Sequence, residues 1–437
     1  MNRNPLLSIC IPTRNRAFYL KHCLQTILVQ DFTDYEIIVA ENSDPAGREE
    51  TRTALAGLDA RRIVYFEQPE VVSMTANYES ALAKTKGEYV LCLGDDDGMV
   101  AGSLRQVAEL LRARQPAVLK SPTASYFWPD SRWHSQTAIY LAAAAPLTWV
   151  DSRSLLEKVA AFETPYYFLP MIYYAFVRRD LIDRIAADGQ GFFADTTSID
   201  IYAGMVIAAN TETFLVGDRP FAIAGQSPKS NGAVFLGKQE NVIADEYAKQ
   251  HNLREQYANY KLPLNRSLEV LTLMELRRAM RRFPAATAGI QVDALECCRR
   301  CCGLAGAITC GASDPQKRAA VVREFEAADP DTPWHQVLEE AKPSANKPML
   351  YPRGEVYSFM ATKVLVHDLI RCDTVVEASN VIRAIYDGWP FVLEPPTGDT
   401  QPQPDPNKPG GFRAFMRQPG KALKRLFLGQ SHGRPSP

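Results

Sequence analysis

The sequence predicts an α/β fold with a Rossmann-like parallel sheet, followed by a mainly helical segment and a flexible basic tail. Short apolar runs alternate with segments of helical periodicity through residues 1–235, a pattern typical of parallel strands joined by helical crossovers. Polar residues follow directly after these apolar runs. Beyond residue 236, helix formers with apolar residues at helical spacing dominate.

The first elements illustrate this alternation. An apolar strand within LSICIPTRNR (residues 7–16) precedes a helix predicted over residues 18–28. A second strand, residues 37–40, ends in the polar cluster at residues 41–44, and a third lies within residues 61–67. Because the carboxyl ends of parallel strands meet at one edge of a sheet, we expect the polar residues there to share one crevice. These residues are Thr13, Asn15, Glu41, Asn77 and the aspartates described next.

The fourth predicted strand carries a candidate metal site. Residues 89–93 are apolar and flanked by glycines, which indicates a strand buried on both faces. Three consecutive carboxylates follow, Asp95, Asp96 and Asp97. Mg²⁺ and Mn²⁺ are commonly held by one or two carboxylates together with substrate phosphates. The alternative is a solvated acidic turn before the helix predicted over residues 103–114.

Three motifs carry a family resemblance: LSICIPTRNR, EIIVAENSD and SMTANYESALAKTKGEYVLCLGDDDG, in this order. Together they resemble the nucleotide-binding half of a non-processive family 2 glycosyltransferase with the GT-A fold, over residues 1–235. The resemblance implies a nucleoside-diphosphate sugar donor, a divalent metal (Mn²⁺ or Mg²⁺) and inversion at the anomeric carbon. The chain lacks the Q-x-x-R-W element of the family's processive synthases, which favours transfer of a single sugar.

The resemblance also implies roles for the residues on the nucleotide side of the crevice. Pro12 and Thr13 would line the nucleotide pocket, together with Asn15. Glu41 stands where the family usually has an aspartate that contacts the base or ribose. Asn77 matches the asparagine of the helix before the metal strand. UDP is the leading expectation for the nucleotide, and the longer side chain of Glu41 could shift that preference.

The family's D-x-D element falls on residues 94–96. Gly94 occupies its first position, which departs from the usual aspartate. The resemblance implies that Asp95 lies near the ribose or sugar and that Asp96 binds the metal directly. Asp97 would be a supporting carboxylate.

Transfer with inversion needs a general base that takes the proton of the acceptor hydroxyl. Asp200 precedes an apolar helical run over residues 201–209 and resembles the family's acidic residue beneath the acceptor site. Asp195 in the preceding polar loop is the alternative base. Asp200 could instead be only a helix N-cap or first-turn acid, since carboxylates stabilise exposed N–H groups there.

A basic turn and a loop expected to be mobile complete the candidate site. Arg14 and Arg16 could reach the donor phosphates, and a solvated basic turn is the alternative. The loop over residues 225–232, GQSPKSNG, contains Lys229 and is suited to closing over the donor or acceptor. Its alternative is an ordinary connector.

Composition excludes several classes of protein. The chain has 437 residues, 46% of them hydrophobic, and a formal charge of −1, which allows two domains and argues against a nucleic-acid partner. The N-terminus lacks a signal-peptide pattern. No apolar segment reaches the roughly 18–20 residues of a membrane helix, and the longest candidate, residues 138–150, contains Pro146. We therefore expect a cytoplasmic protein.

The cysteines allow a competing metal hypothesis. Four of the nine lie in residues 297–302, with Cys310 nearby. No second ligand pair at the usual zinc spacing follows, so we expect an amphipathic helix in which cysteine acts as a small apolar residue. The odd count favours free thiols in a reducing compartment over structural disulfides.

Residues 236–393 predict a mainly helical C-terminal domain, with helical patterns at 240–283, 316–341 and 355–385. It is expected to pack on the catalytic domain and shape the acceptor site, or to mediate self-association into an oligomer. The first pattern contains a basic cluster that either faces an anionic acceptor or is a solvated helix face. The cluster consists of Arg277, Arg278, Arg281 and Arg282.

The last part of the chain has a different composition. Residues 394–411 are a Pro-rich linker, and residues 412–437 contain no acidic residue. Basic residues alternate with Phe and Leu over residues 412–428, which predicts contact with an anionic membrane surface at about 1 kcal/mol per basic residue. The alternatives are a disordered tail and a docking helix for a partner protein.

The combined expectation is a cytoplasmic, metal-dependent inverting glycosyltransferase, either free or peripheral at the inner face of the cell membrane. It would move one sugar, from a UDP-sugar by preference, to a glycan or lipid-linked acceptor in surface polysaccharide assembly. A sugar nucleotidyltransferase would need a glycine-rich loop after the first strand, and IPTRNRAFYL has none. A catalytically silent binding or scaffold protein of the same fold is the remaining alternative.

Overall fold

The computed structural model describes residues 4–122, 124–131, 138–141, 146–194, 196–230, 247–264, 267–302, 315–339, 362–365 and 372–388. The strands are β1 (Leu7–Thr13), β2 (Tyr35–Glu41), β3 (Ile63–Glu67), β4 (Tyr89–Cys92), β5 (Gly98–Met99), β6 (Val118–Lys120), β7 (Ala124–Phe127), β8 (Ala138–Leu141), β9 (Thr148–Asp151), β10 (Ala175–Arg178), β11 (Thr213–Val216), β12 (Ala222–Gln226) and β13 (Thr362–Leu365).

The helices are α1 (Ala17–Leu28), α2 (Pro45–Ala56), α3 (Met74–Lys84), α4 (Ser103–Arg114), α5 (Ser152–Ala160), α6 (Arg179–Ala186), α7 (Ile199–Ala209), α8 (Leu253–Asn259), α9 (Leu268–Arg282), α10 (Ala294–Cys302), α11 (Pro315–Ala328), α12 (Gln336–Glu339) and α13 (Val375–Gly388). Short 3₁₀ turns lie at Ala60–Arg62 and Tyr166–Phe168.

The main sheet has the strand order β3-β2-β1-β4-β10-β6-β11-β9. Strands β1 to β4 are mutually parallel, as their alternation with helices predicts, and every residue of β1 and β4 is buried. Strand β10 runs antiparallel between β4 and β6. The carboxyl ends of β1, β2 and β4 therefore lie side by side at one edge of the sheet, and the predicted α/β, Rossmann-like fold is confirmed.

A smaller sheet has the order β13-β8-β7-β12-β5. Its presence corrects the expectation of continuous helical structure over residues 355–385, because residues 362–365 form β13, antiparallel to β8. Sheet pairing supplied by a strand more than two hundred residues away overrides local helix propensity here. Helix α13 follows, and its Val375 and Ile382 pack in one cluster with Tyr126 and Trp128.

Helices after residue 247 share a core with the first part of the chain. Val270, Leu273 and Met274 of α9 are buried in the same cluster as Ile201 and Met205 of α7. This packing brings α9 against the helix that carries Asp200. The geometry of the candidate base therefore depends on residues distant from it in sequence.

The basic cluster of α9 is largely internal rather than a solvated face. Arg282 donates to Asp188 and to the hydroxyl of Tyr202, and Arg278 donates to the buried carboxylate of Glu275. Only Arg281 of the four is exposed. The expectation of a solvated helix face was wrong because these guanidinium groups hold neighbouring segments together.

The cysteine segment forms α10, and Cys297, Cys298, Cys301 and Cys302 are all buried, as small apolar side chains would be. No group of three or more His, Cys, Asp or Glu suited to a metal ion occurs within the residues that the structure describes. Cys310 lies outside them.

Several predicted segments also lie outside the described residues: Asp195, the linker at 394–411 and the tail at 412–437. Among the helices that are described, none has both the length and the apolar character of a membrane-spanning helix.

Candidate active site

A cavity of about 640 Å³ opens at the carboxyl edge of β1 and β4. It is lined by residues from the turn after β1, the acidic turn after β4, the start of α7 and the loop after β12. Of the predicted site residues it brings together Pro12, Thr13, Asn15, Asn77, Asp95, Asp96 and Asp200. Glu41 is not among the residues that line it.

Asp95 is held by the turn that follows β1. The hydroxyl of Thr13 donates to its Oδ2 at 2.7 Å, and Arg16 forms an ion pair with its Oδ1 at 2.9 Å. Burial raises the pKa of Asp95, and the Arg16 charge and the Thr13 hydrogen bond counter that effect. The predicted proximity of Thr13 to the aspartates is therefore present, with Arg16 as an additional partner.

Asp96 is joined to the loop after β12. Its Oδ2 accepts hydrogen bonds from the hydroxyls of Ser227, at 2.6 Å, and Ser230, at 2.5 Å, and from the backbone N–H of Ser227 at 3.3 Å. The indole of Trp128 donates to the backbone carbonyl of Asp96 at 3.0 Å. These bonds fix the orientation of the carboxylate at the cavity wall.

This arrangement fits a divalent cation. Within the described residues the donors to Asp96 all reach Oδ2, so Oδ1 is the oxygen that a cation would use. Mg²⁺ and Mn²⁺ commonly take few protein carboxylates and complete their coordination with phosphate oxygens and water. A single well-oriented carboxylate on the cavity wall satisfies that requirement.

Asp97 is engaged in structural contacts. Its carboxylate accepts from the backbone N–H of Gly94, at 2.6 Å, from that of Gly225, at 2.8 Å, and from the hydroxyl of Tyr174, at 3.1 Å. Burial, and then the neighbouring charge of Asp96, raise the pKa of Asp97 to about 8. A Cβ at Gly225 would lie 1.7 Å from the Asp96 carbonyl oxygen, so β12 approaches the acidic turn this closely only with glycine.

The nucleotide-side residues Asn15, Asn77 and Glu41 are each held by a hydrogen bond to residues 40–44. Asn15 has a φ of 55°, and its side chain donates to Asp44 at 3.0 Å. The side chain of Asn77 donates to the Ala40 carbonyl at 3.1 Å. Glu41 is fully buried; its Oε1 accepts from the N–H of Ser43, and its Oε2 has no hydrogen-bond donor among the residues described.

Asp200 lies in the first turn of α7 and faces the cavity. The hydroxyl of Tyr166 lies 3.5 Å from its Oδ2. Burial raises the pKa of Asp200, while helix-terminal backbone N–H groups and Tyr166 oppose the increase. A carboxylate with a raised pKa is better suited to take a proton near neutral pH than an ordinary aspartate.

Cations line the same cavity as the acids. Arg14, Arg16 and Lys229 all contribute to its wall. The ammonium of Lys229 donates to the carbonyl of Asn15 at 3.1 Å, and Arg16 donates to the carbonyl of Lys229. The loop after β12 is therefore held against the turn after β1, next to Asp95 and Asp96.

Sequence reasoning missed the aromatic and helical part of the wall. Tyr166, Tyr173 and Tyr174 line the cavity from the segment before β10, and Leu268 and Leu271 line it from α9. The run of aromatic residues at 166–168 was the available signal in the sequence. No local pattern indicated that α9 reaches the site.

Comparisons with known proteins show which family the first part of the chain resembles. Residues 8–185 match the model of Glycosyl transferase family 2. The chain is 37% identical over 103 residues, 23% of its length and 32% of the relative, to the GalNAc(5)-diNAcBac-PP-undecaprenol beta-1,3-glucosyltransferase of Campylobacter jejuni. It is 29% identical over 97 residues, 22% of its length and 34% of the relative, to the putative colanic acid biosynthesis glycosyl transferase WcaA of Escherichia coli.

Among solved structures, S. aureus TarS 1-349 in complex with UDP-GlcNAc superposes with a TM-score of 0.42 at 15% identity, covering 76% of this chain and 90% of that one. The chain spans about a third of the length of the curated relatives that it matches. The family model covers β1 to β4 and the acidic turn, where the predicted motifs lie. Residues 8–185 are therefore similar to the Glycosyl transferase family 2 domain, and they carry the parallel strands and the acidic turn of the α/β fold.

Proposed function

We propose that the protein is a metal-dependent, inverting glycosyltransferase that moves one sugar from a nucleoside-diphosphate sugar to a glycan or lipid-linked acceptor. One observation carries the proposal. A single cavity is lined by the acidic turn at Asp95 and Asp96, by the cations Arg16 and Lys229, and by a carboxylate of raised pKa, Asp200. Diphosphate binding and proton removal can therefore take place in one space.

The chemistry follows from these groups. The acceptor hydroxyl oxygen forms a bond to the anomeric carbon while the bond from that carbon to the diphosphate oxygen breaks. Asp200 takes the hydroxyl proton, which makes the oxygen a better nucleophile. Arg16 and Lys229 stabilise the negative charge that develops on the departing diphosphate. Attack from the side opposite the leaving group inverts the anomeric centre.

Asp96 would hold the divalent cation through Oδ1, with Ser227 and Ser230 keeping the carboxylate in place. When bound, such a cation acts as a Lewis acid toward the diphosphate oxygens. Asp95, paired with Arg16, is placed to accept hydrogen bonds from sugar or ribose hydroxyls at the same wall.

Glu41 favours a nucleotide base with a ring N–H donor, such as uracil, over cytosine. Its buried Oε2 has no donor within the described part of the chain, and an unpaired buried acceptor costs about 1–3 kcal/mol. The N3–H of uracil is a donor that could satisfy it, whereas N3 of cytosine is an acceptor and could not. Asn42, directly after Glu41, lines the cavity, whereas Glu41 is buried behind this wall. The proposed contact therefore requires a side-chain movement at this wall when the nucleotide binds.

The acceptor class is inferred from the relatives and from the tail. The Campylobacter relative is named for an undecaprenol-linked glycan acceptor and the Escherichia one for colanic acid biosynthesis. A lipid-linked acceptor would bring the enzyme to the inner face of the cell membrane, where the basic residues of 412–428 would contact anionic lipid. From these features we infer a role in surface polysaccharide assembly.

The test is the thermal stability of the purified full chain against UDP, GDP, dTDP, CDP and CMP, each with Mn²⁺ and with EDTA. A ligand that binds the folded state raises the melting temperature by mass action. Stabilisation by UDP that requires Mn²⁺ is the expected result, followed by detection of UDP release from UDP-sugars. A folded protein that no nucleotide stabilises would overturn the proposal in favour of a silent scaffold.

A further inference from the structure

A buried charge from the C-terminal helices contacts the start of the helix that carries Asp200. Glu275 of α9 has no exposed surface. Its Oε1 accepts from the backbone N–H of Thr197 at 3.1 Å and from the Thr197 hydroxyl at 2.9 Å, and its Oε2 accepts from Arg278 at 2.9 Å. Fully buried carboxylates are rare unless they are paired, so this contact requires a specific explanation.

Helix α7 lacks a cap from its own N-cap residue. Ser198 precedes the helix and makes no side-chain capping bond. Glu275 accepts from the N–H of Thr197, one residue before the N-cap, and so holds the turn that precedes the helix from a position 78 residues away in sequence. A negative charge near the N-terminus of a helix also interacts favourably with the helix dipole.

The same turn is held on its other side by α3. The hydroxyl of Thr75 donates to the Thr196 carbonyl at 2.9 Å, and the N–H of Ser198 donates to the Thr196 hydroxyl at 3.0 Å. Two elements from different parts of the chain therefore clamp residues 196–198. Asp200 lies directly after this clamped turn, so the clamp sets where its carboxylate sits in the cavity.

We propose that Glu275 is a positioning residue for Asp200, which fixes the first turn of α7 and supplies the negative charge beside which Asp200 takes up its proton. The inference rests on the proposed function for its catalytic meaning. It assigns to the C-terminal helical segment a defined part in the transfer site.

The electrostatics of the site agree with this role. Burial is the main cause of the raised pKa of Asp200, and the charge of Glu275 raises that pKa further. The cations packed here are Arg278, paired with Glu275, and Arg282, which donates to Tyr202.

Within the part of the chain that the structure describes, the other titratable groups that interact with this pair are tyrosines: Tyr166, Tyr173, Tyr174, Tyr202 and Tyr247. Burial raises the pKa of each, to about 12 for Tyr202, so all five stay neutral in the working range. The pKa of Asp200 is therefore the quantity that reports the charge at residue 275.

The experiment uses Glu275→Gln in the full chain. The glutamine oxygen can still accept from Thr197, but the negative charge is removed. The double variant Glu275→Gln, Arg278→Met also removes the guanidinium that Glu275 compensates, and it replaces the single variant if that one does not fold. Glu296→Gln is the matched control, because Glu296 lies on α10 and pairs with Arg299 and Arg300 instead.

The first readout is the pKa of Asp200, from ¹³C NMR of aspartate-labelled protein, with its signal assigned by its loss in Asp200→Asn. The pKa should fall in Glu275→Gln and stay unchanged in Glu296→Gln. The second readout is amide hydrogen exchange at Thr197, which should become about tenfold faster or more in Glu275→Ala as the clamp opens. An unchanged Asp200 pKa together with unchanged exchange would overturn the inference.

Turnover links these readouts to function. With the UDP-sugar that the nucleotide panel selects, Glu275→Gln should move the acid limb of kcat to lower pH while donor KM changes less than about twofold. If the wild-type chain binds no nucleotide, the proposed function fails, yet NMR and exchange still decide the role of Glu275. If transfer occurs but the acid limb of Glu275→Gln matches that of wild type, the inference about Glu275 fails alone.

Discussion

Asp200 and Asp96 line one cavity, but they should fail differently when each is changed to asparagine. Asp200→Asn is isosteric and keeps an oxygen that can accept from Tyr166. The variant removes the proposed base, and a general base typically contributes a factor of about 10²–10⁴ to the rate. That loss corresponds to about 3–5 kcal/mol of transition-state stabilisation. Because the proposed donor contacts lie elsewhere on the wall, nucleotide binding should be unchanged.

Asp96→Asn should have the opposite effect. It removes the charge from the carboxylate that the two serine hydroxyls orient, and thereby the proposed cation ligand. A donor present at about 100 times its Kd stabilises the folded state by about 2.7 kcal/mol. The variant should lose most of this metal-dependent stabilisation, and its activity should fall as a consequence of weaker binding.

The assay is melting temperature with UDP and Mn²⁺, measured beside the rate of UDP release from a UDP-sugar. Asp31→Asn is the control, since Asp31 pairs with Arg105 on the surface and does not line the cavity. Loss of nucleotide binding in Asp200→Asn would refute the assignment of Asp200 as the base. Metal-dependent binding retained in Asp96→Asn would refute Asp96 as the cation ligand.

Further outcomes follow from other parts of the site. In a pH profile of kcat, the apparent pKa of the acid limb should lie above the ordinary aspartate pKa of about 3.9. The proposed base Asp200 must be deprotonated to act, and burial raises its pKa. An apparent pKa at or below the ordinary value contradicts this. Glu41→Gln should weaken UDP binding about tenfold, or about 1.4 kcal/mol, in calorimetry. Glutamine has one side-chain oxygen, which cannot occupy both the position that accepts from the Ser43 N–H and the position proposed for the uracil N–H. Equal affinity would exclude the contact. Ser227→Ala with Ser230→Ala should lower Mn²⁺ affinity by about 10–100-fold, followed by electron paramagnetic resonance with UDP present, and unaltered affinity would remove these serines from the metal site. A chain ending at residue 411 should no longer sediment with phosphatidylserine vesicles, and undiminished binding would exclude the tail as the membrane contact.

The predicted elements at the start of the chain were close to those observed. The helix expected over residues 18–28 spans Ala17–Leu28, and the one expected over 103–114 spans Ser103–Arg114. Their apolar periodicity is a local signal that survives folding, and Gly102 directly before the second helix is another. The acidic turn after β4 was found for the same reason, since a buried strand followed by carboxylates is visible without tertiary contacts.

The expectations for the C-terminal part were less accurate. Residues 362–365 were expected to be helical and form β13, and Arg278 was expected to be solvated or free for an acceptor and is buried against Glu275. Both outcomes depend on partners far away in sequence. Periodicity within one segment cannot indicate which distant strand or carboxylate that segment will meet.

By itself the sequence determined the parallel sheet, its order of polar turns and the identity of the acids placed at its edge. These features follow from side-chain patterning and from the geometry of crossovers. Tertiary structure alone decided that the Asp97 carboxylate accepts hydrogen bonds from backbone N–H groups. It also decided that Ser227 and Ser230 orient Asp96, and that Glu275 holds the turn before Asp200. Each of these contacts joins residues from distant segments, and long-range packing selects among carboxylates that look alike in the sequence.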